Sequence, residues 1–210
     1  MITVLKFWRT THSYSGLIRM ATCRKSLRSL DYVSFHKLLG TGKGETFTPS
    51  DADPNVWGII AVLPDASLRS KFEQSKPIRS FDEVAIQKTT IEMSTINSIG
   101  NWSGVQPFGA STGNIQNTVP IAAITRARLN WKYARRFWRE TPPVTASLHN
   151  APGLINAIGI GEAPIGLQGT FSIWKNEAVL KEFAYSNTTD RKSTRLNSSH
   201  MSESRMPSSA

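Results

Sequence analysis

Leu38-Leu39-Gly40-Thr41-Gly42 and Ala157-Ile158-Gly159-Ile160-Gly161 are two spellings of one short glycine motif, about 120 residues apart in a chain of 210. Each is followed by a loop, then by an apolar stretch of strand composition at 56–63 or 170–174. A polar turn comes next, Pro64-Asp65 or Lys175-Asn176, and then a short amphipathic run at 66–72 or 177–183. The same supersecondary unit is therefore expected twice. The glycines Gly40, Gly42, Gly159 and Gly161 are expected at tight turns or close backbone approaches, because only glycine tolerates both. Gly40-x-Gly42-x-Gly44 is not a phosphate cradle. Such loops open directly into a helix whose N-terminus holds the phosphate, whereas Glu45-Thr46-Phe47-Thr48-Pro49 follows here.

Working outward, residues 2–8 have strand composition. Ser15 is an expected N-cap, and Leu17, Met20, Cys23, Leu27 and Leu30 recur at three- and four-residue steps, as one buried helix face requires. Strands are expected at 33–39 and 56–63. The stretch 46–54 between them is expected to be loop, because neither Pro49 nor Pro54 can donate in a ladder. A helix over 65–72 completes β-α-β-β-α, and alternation at Val84, Ile86, Thr89, Ile91 and Met93 favours one long strand within 81–99. A Gly/Asn/Ser-rich linker spans 101–119. The second unit then opens with a strand at 121–127 and a helix carrying Trp131, Ala134, Phe137 and Trp138.

This order predicts an α+β protein, a dimeric α+β barrel built from two fused ferredoxin-like halves packed sheet to sheet. The expected domains are 1–100, a linker at 101–119, an incomplete second half at 120–189 and a disordered tail at 190–210. From Asp190 onward the composition turns to Ser, Arg, Thr, Asn and Met without apolar periodicity. The string resembles a translated sequencing adapter in one frame. No function is therefore expected of His200 or the tail cations, and the closing strand of the second half is expected to be missing.

The formal net charge is +10, which raises the question of nucleic acid. The cations fall in two stretches, Arg19, Arg24, Lys25, Arg28 and Arg126, Arg128, Lys132, Arg135, Arg136, Arg139, with no nucleic-acid motif around them. Solvated helix faces explain them first, and an acidic electron-transfer partner or an anionic membrane surface second. No apolar run is long enough to span a bilayer. Cys23 is the only cysteine, which rules out an internal disulfide and fits a cytoplasmic setting. His12, His36 and His149 show no metal-ligand spacing, so no catalytic residue and no metal ligand is assigned. Trp8, Trp57, Trp102, Trp131, Trp138, Trp174, Phe7, Phe108, Phe137 and Phe171 fall at inward positions or in the linker. They fill a core or line a pocket for a large apolar ligand.

Several segments in order, Phe35-His36-Lys37-Leu38-Leu39-Gly40-Thr41-Gly42, Phe47-Thr48-Pro49, Trp57-Gly58-Ile59-Ile60-Ala61-Val62 and Trp102-Ser103-Gly104-Val105-Gln106-Pro107-Phe108, resemble the spheroidene monooxygenase family of bacterial carotenoid oxygenases. So do Pro120-Ile121-Ala122-Ala123-Ile124-Thr125-Arg126-Ala127, Arg136-Phe137-Trp138, Ile158-Gly159-Ile160-Gly161-Glu162-Ala163-Pro164 and Gln168-Gly169-Thr170-Phe171-Ser172-Ile173-Trp174. The resemblance implies a haem-dependent monooxygenase that puts oxygen from O2 onto an acyclic carotenoid, using electrons from a ferredoxin-type donor. Beside it, the membrane reading of the cations gives an expected peripheral contact with the inner membrane. Arg126, Arg136, Glu162 and Gln168 are its candidates for cofactor contacts, and Trp102, Trp138, Phe171 and Trp174 for pocket walls. The alternative is a non-catalytic barrel that binds haem or a lipid.

Overall fold

The computed structural model describes residues 1–46, 48–109, 119–128, 132, 139, 141, 145–162, 167–190, 208 and 209. Its first strand, β1 (Ile2–Thr10), is buried at every position but Arg9. Successive side chains on a strand point to opposite faces, and β1 serves two cores. Ile2, Val4 and Trp8 join a cluster beneath the helices, while Leu5 and Phe7 join a second cluster on the other face.

The remaining elements follow as α1 (Ser13–Arg28), β2 (Phe35–Gly42), a 3-10 turn Pro49–Asp51, β3 (Ala52–Leu63), α2 (Leu68–Glu73), α3 (Lys76–Asp82) and β4 (Ala85–Met93). After them come β5 (Ile121–Arg128), β6 (Leu154–Gly161), β7 (Leu167–Trp174), α4 (Glu177–Asp190) and a two-residue strand β8 (Ser208–Ser209). The fold is mixed α+β. All named strand pairings are antiparallel, in the order β4-β1-β3-β2-β6-β7-β5-β8.

The two glycine motifs are not turns. Gly40 and Gly42 lie in β2, Gly159 and Gly161 in β6, and the two strands pair with each other through Gly40↔Gly161 and Thr41↔Ile160. The physical reason is close approach rather than chain reversal. A Cβ on Gly42 would stand 3.7 Å from the Gly159 Cα, and one on Gly44, whose φ is +86°, would stand 2.5 Å from the Ala157 carbonyl oxygen. Asp51 fixes this seam from one side. Its buried carboxylate accepts the backbone N–H groups of Gly44, Glu45 and Thr46. His149 Nε2 meets the Gly44 carbonyl at 2.5 Å from the other side, and the Thr145 hydroxyl donates to the Thr46 carbonyl.

Folding about the seam brings the non-helical faces together. Phe7 of β1 meets Phe171 of β7 with ring centroids 6.2 Å apart. The cluster between these faces of the one eight-stranded sheet holds Leu5, Leu39, Ile60 and Val62 from one side and Ala122, Ile124, Ile160 and Phe171 from the other. A third cluster, Ile121, Ala123, Trp174 and Leu180, lies under α4.

Other expectations need correction. The first helix begins at Ser13 with His12 at the cap position, not Ser15. Leu17 is 60% exposed because Gly16 takes the core-facing position, where the Trp57 indole leaves no room for a Cβ. Strand β3 starts at Ala52 in spite of Pro54, since the register breaks between Gly40/Thr41 and the proline sits at that irregularity. Phe81 is not in a strand. Pro77 in its first turn starts α3, and Ile78 and Phe81, three residues apart, are its buried stripe. The expected linker 101–119 contributes Trp102 and Phe108 to the core through a tight turn with Ser103 at φ 55° and Gly104 at φ 84°. In the tail expected to be disordered, Ser208 and Ser209 pair with Ile124 and Ala123 of β5. The helix expected around Trp131 to Trp138 lies outside the described residues.

Candidate functional site

Where the inner faces of β2, β5 and β6 converge, the apolar core ends in a charged cluster. Inner positions alternate along each strand: Lys37 follows Phe35 on β2, Arg126 follows Ile124 on β5, and Glu162 follows Ile160 just past β6. Glu162 is the hub. Its Oε1 accepts from Arg126 Nη2 at 2.7 Å and from Trp102 Nε1 at 2.7 Å, and its Oε2 lies 3.0 Å from Lys37 Nζ. The Arg126 guanidinium also stacks over the Trp102 ring, 4.0 Å from its centroid. Lys37 Nζ donates to the Ser103 hydroxyl, tying the tight turn to the cluster.

The Arg126 and Lys37 contacts with Glu162 are strong because both partners are charged and the Glu162 side chain is only 12% exposed. The surroundings are aromatic. Trp102 packs edge-on against Phe35 at 5.4 Å and against Phe108 at 6.0 Å. A small cavity of about 10 Å³ lies against Leu39, Trp102, Arg126, Ile160, Glu162 and Gln168, the lower limit for a single water.

Four of the residues singled out from sequence, Trp102, Arg126, Glu162 and Gln168, therefore line one cavity. Phe171 lies further along the same inter-sheet core. Trp174 does not belong to this wall. It sits on the opposite face of β7, where its indole donates to the Ser172 hydroxyl and its ring meets Phe183 under α4. Arg136 and Trp138 lie outside the described residues. Arg126 was grouped with cations on solvated helix faces, yet it is a strand residue with a buried counterion. Lys37 and the Ser103 turn went unnoticed in the sequence. The i, i+2 alternation Phe35, Lys37, Leu39 was the available signal.

A haem does not fit the described residues as they stand. Such a group needs an axial ligand and a volume of hundreds of Å³. No described histidine faces the cluster. His12 stacks on Tyr14, His36 shares the helix-side face of β2 with Leu38, and His149 bonds Gly44. Among the described residues no group of three His, Cys, Asp or Glu could hold a metal. Burial pushes the His36 imidazole below its usual range, helped by the nearby charges of Lys37 and Arg28.

The buried ion network elsewhere in the molecule is structural. Lys6, 4% exposed, pairs with Glu73 and Asp82, and Trp8 Nε1 donates to Asp82 Oδ1 at 2.7 Å. No helix of the described residues is long and apolar enough to cross a membrane.

Fold and site together define a mixed α+β protein with an apolar core between faces of an antiparallel sheet, bordered among the described residues by the Glu162 ion cluster. No protein-family profile matches the chain. Spheroidene monooxygenase of Rhodobacter capsulatus is 31% identical over 198 residues, covering 92% of this chain and 81% of that protein. Spheroidene monooxygenase of Cereibacter sphaeroides is 32% identical over 169 residues, 79% of this chain, and the match spans about half (51%) of that protein's length. A ferredoxin-fold protein from Listeria monocytogenes, related to antibiotic biosynthesis monooxygenases, aligns over 100% of this chain and 92% of its own at 11% identity, with a TM-score of 0.34. The chain belongs to the spheroidene monooxygenase family.

Proposed function

We propose that the chain carries the substrate-contacting core of a monooxygenase that acts on an acyclic carotenoid or a similar long apolar molecule. The observation that carries this reading is the position of the Glu162 cluster, a polar group of partners at the end of a core that is otherwise apolar among the described residues. Sites for apolar ligands have this composition, an apolar wall with a few placed polar groups that fix orientation. Family membership supplies the reaction class. We read the two strand groups, β1 to β4 and β5 to β8, as fused ferredoxin-like halves that act together as one dimeric-barrel equivalent.

In this reading the chain's own residues do three things. Leu5, Phe7, Leu39 and Phe171 exclude water from the reacting end. Trp102 offers a flat face to a polyene. The Arg126–Glu162 pair holds the mouth shut until an entering ligand displaces it, since the closed cavity is far too small for a carotenoid. Haem is the cofactor implied by family resemblance, and a ferredoxin-type protein the electron donor. The described residues provide neither a ligand nor room for haem, so no step is derived through it. The affinity of such a substrate for lipid favours a peripheral contact with a membrane.

Incubating the purified chain with haem, an acyclic carotenoid, O2 and a reduced ferredoxin tests this. Mass spectrometry should find a product heavier by one oxygen, labelled from 18O2. A folded chain that binds the carotenoid but never yields such a product contradicts the reading.

A further inference from the structure

The outward stripe of α1 is unusual for a surface helix. Tyr14, Leu17 and Ile18 are 59%, 60% and 54% exposed on its N-terminal half. Lys25 and Arg28 continue the same stripe in its last turns, because positions 14, 18, 21, 25 and 28 recur at helical spacing. Neither cation makes an ion pair with a described carboxylate. Beyond the end of α1 lies a groove of about 470 Å³ where α1 meets the α2–α3 corner. It is lined by the hydroxyl residues Ser26, Ser29 and Ser75 and by Lys71 and Lys76. No acidic residue lines it. Lys71 stacks on Tyr32 at 4.2 Å rather than pairing with a carboxylate.

Helix-dipole compensation accounts for Lys25 and Arg28 in the last turn. It does not account for Lys71 and Lys76, which share the groove with Ser26 and Ser29 of the same helix, nor for three large apolar side chains left in water on its N-terminal half. Apolar side chains that insert, next to cations that meet headgroups, are what an interfacial helix presents. We propose that this face of α1, with the groove at its C-terminal end, docks on an anionic lipid surface. Tyr14, Leu17 and Ile18 enter the acyl boundary, while Lys25, Arg28, Lys71 and Lys76 meet phosphate headgroups. An acidic protein would complement the cations but would leave Leu17 and Ile18 without a partner. The inference rests on the proposed apolar substrate only for its purpose, because the surface is defined without it.

Co-sedimentation of the full chain with vesicles of phosphatidylcholine, with and without 30 mol% phosphatidylglycerol, tests the proposal. The chain should bind the anionic vesicles and not the neutral ones, and lose binding as salt rises. K25Q/R28Q should weaken binding roughly 25-fold, about fivefold per charge. L17Q/I18Q should weaken it at least about tenfold. Both pairs are exposed, so the variants should keep the wild-type circular dichroism spectrum at the assay temperature. Absence of binding to anionic vesicles overturns the proposal, as does equal binding by wild type and both variants. Release by low millimolar inorganic phosphate would make the groove a free-anion site and overturns it too. A wild-type dimer on light scattering that L17Q/I18Q turns into a monomer would assign the apolar patch to a second copy, with the same consequence. Vesicle binding without oxygenation would sustain this docking face and count against the function proposed above.

Discussion

Replacing Glu162 by Gln removes one negative charge while keeping an amide oxygen where Trp102 Nε1 donates, so it isolates the electrostatic part of the cluster. Arg126 and Lys37 then lose the charge of the Glu162 carboxylate. The Arg126 and Lys37 side chains are 20% and 25% exposed, between the fully buried case, where breaking a pair costs about 3–5 kcal/mol, and the exposed case at about 0.2–1 kcal/mol. E162Q should therefore cost about 2 kcal/mol. Glu162→Ala also strands the Trp102 N–H, adding about 1–3 kcal/mol, and should cost about 4 kcal/mol. In urea, with a slope of about 2 kcal/mol/M, the midpoint should fall by about 1 M for E162Q and about 2 M for E162A. The cycle with Arg126→Gln should show a coupling of about 1–2 kcal/mol, because the two side chains share a hydrogen bond at 2.7 Å. An E162Q midpoint within about 0.2 M of wild type, or E162Q and R126Q effects that simply add, would refute the hub assignment.

Further outcomes follow from the same contacts. Lys6→Met should destabilise by about 3–5 kcal/mol at pH 7, because it leaves Glu73 and Asp82 facing each other around an apolar side chain. A urea midpoint unchanged from wild type would contradict this. Gly44→Ala should cost more than about 2 kcal/mol, since it combines positive-φ strain with a clash against the Ala157 carbonyl across the seam. A neutral urea midpoint would show that the strands do not meet there. Trp57→Phe should cost little in thermal melts, because the half-buried Trp57 gives up no hydrogen bond: its Nε1 has no partner among the described residues. His36 is held below its usual pKa, so the unfolded chain binds more protons than the folded one below about pH 6.5. The stability it contributes is present above that pH and is lost as pH falls toward the folded value. His36→Gln should flatten thermal stability over that window, and an unchanged slope would contradict the burial argument.

The sheet was largely legible in the sequence because runs of β-branched and aromatic residues report strands buried on both faces. The strands at β1, β3, β5 and β7 follow from them. The glycine motifs were visible, but their meaning was not. Two glycines separated by one residue look alike in a turn and in a strand that touches another strand, and only tertiary pairing tells them apart. Helix α3 was missed because Ile78 and Phe81 form a stripe of two, too short for periodicity to outweigh the strand-like residues after Val84. Of the candidate site, Arg126, Glu162, Gln168 and Trp102 were found through motif resemblance. Lys37 was not, because a cation at an inner strand position makes sense only once Glu162, 125 positions along, is seen to meet it. Trp174 was misplaced by one face, although Phe171 three positions earlier fixes the parity of the strand.

The central claim is that the inter-sheet core beside Trp102 receives the apolar substrate. A crystal structure of the chain grown with an acyclic carotenoid tests it most directly. The account predicts polyene density against Trp102, Leu39 and Ile160, with the Arg126–Glu162 pair parted. A carotenoid bound elsewhere, with that pair intact at 2.7 Å, would contradict it.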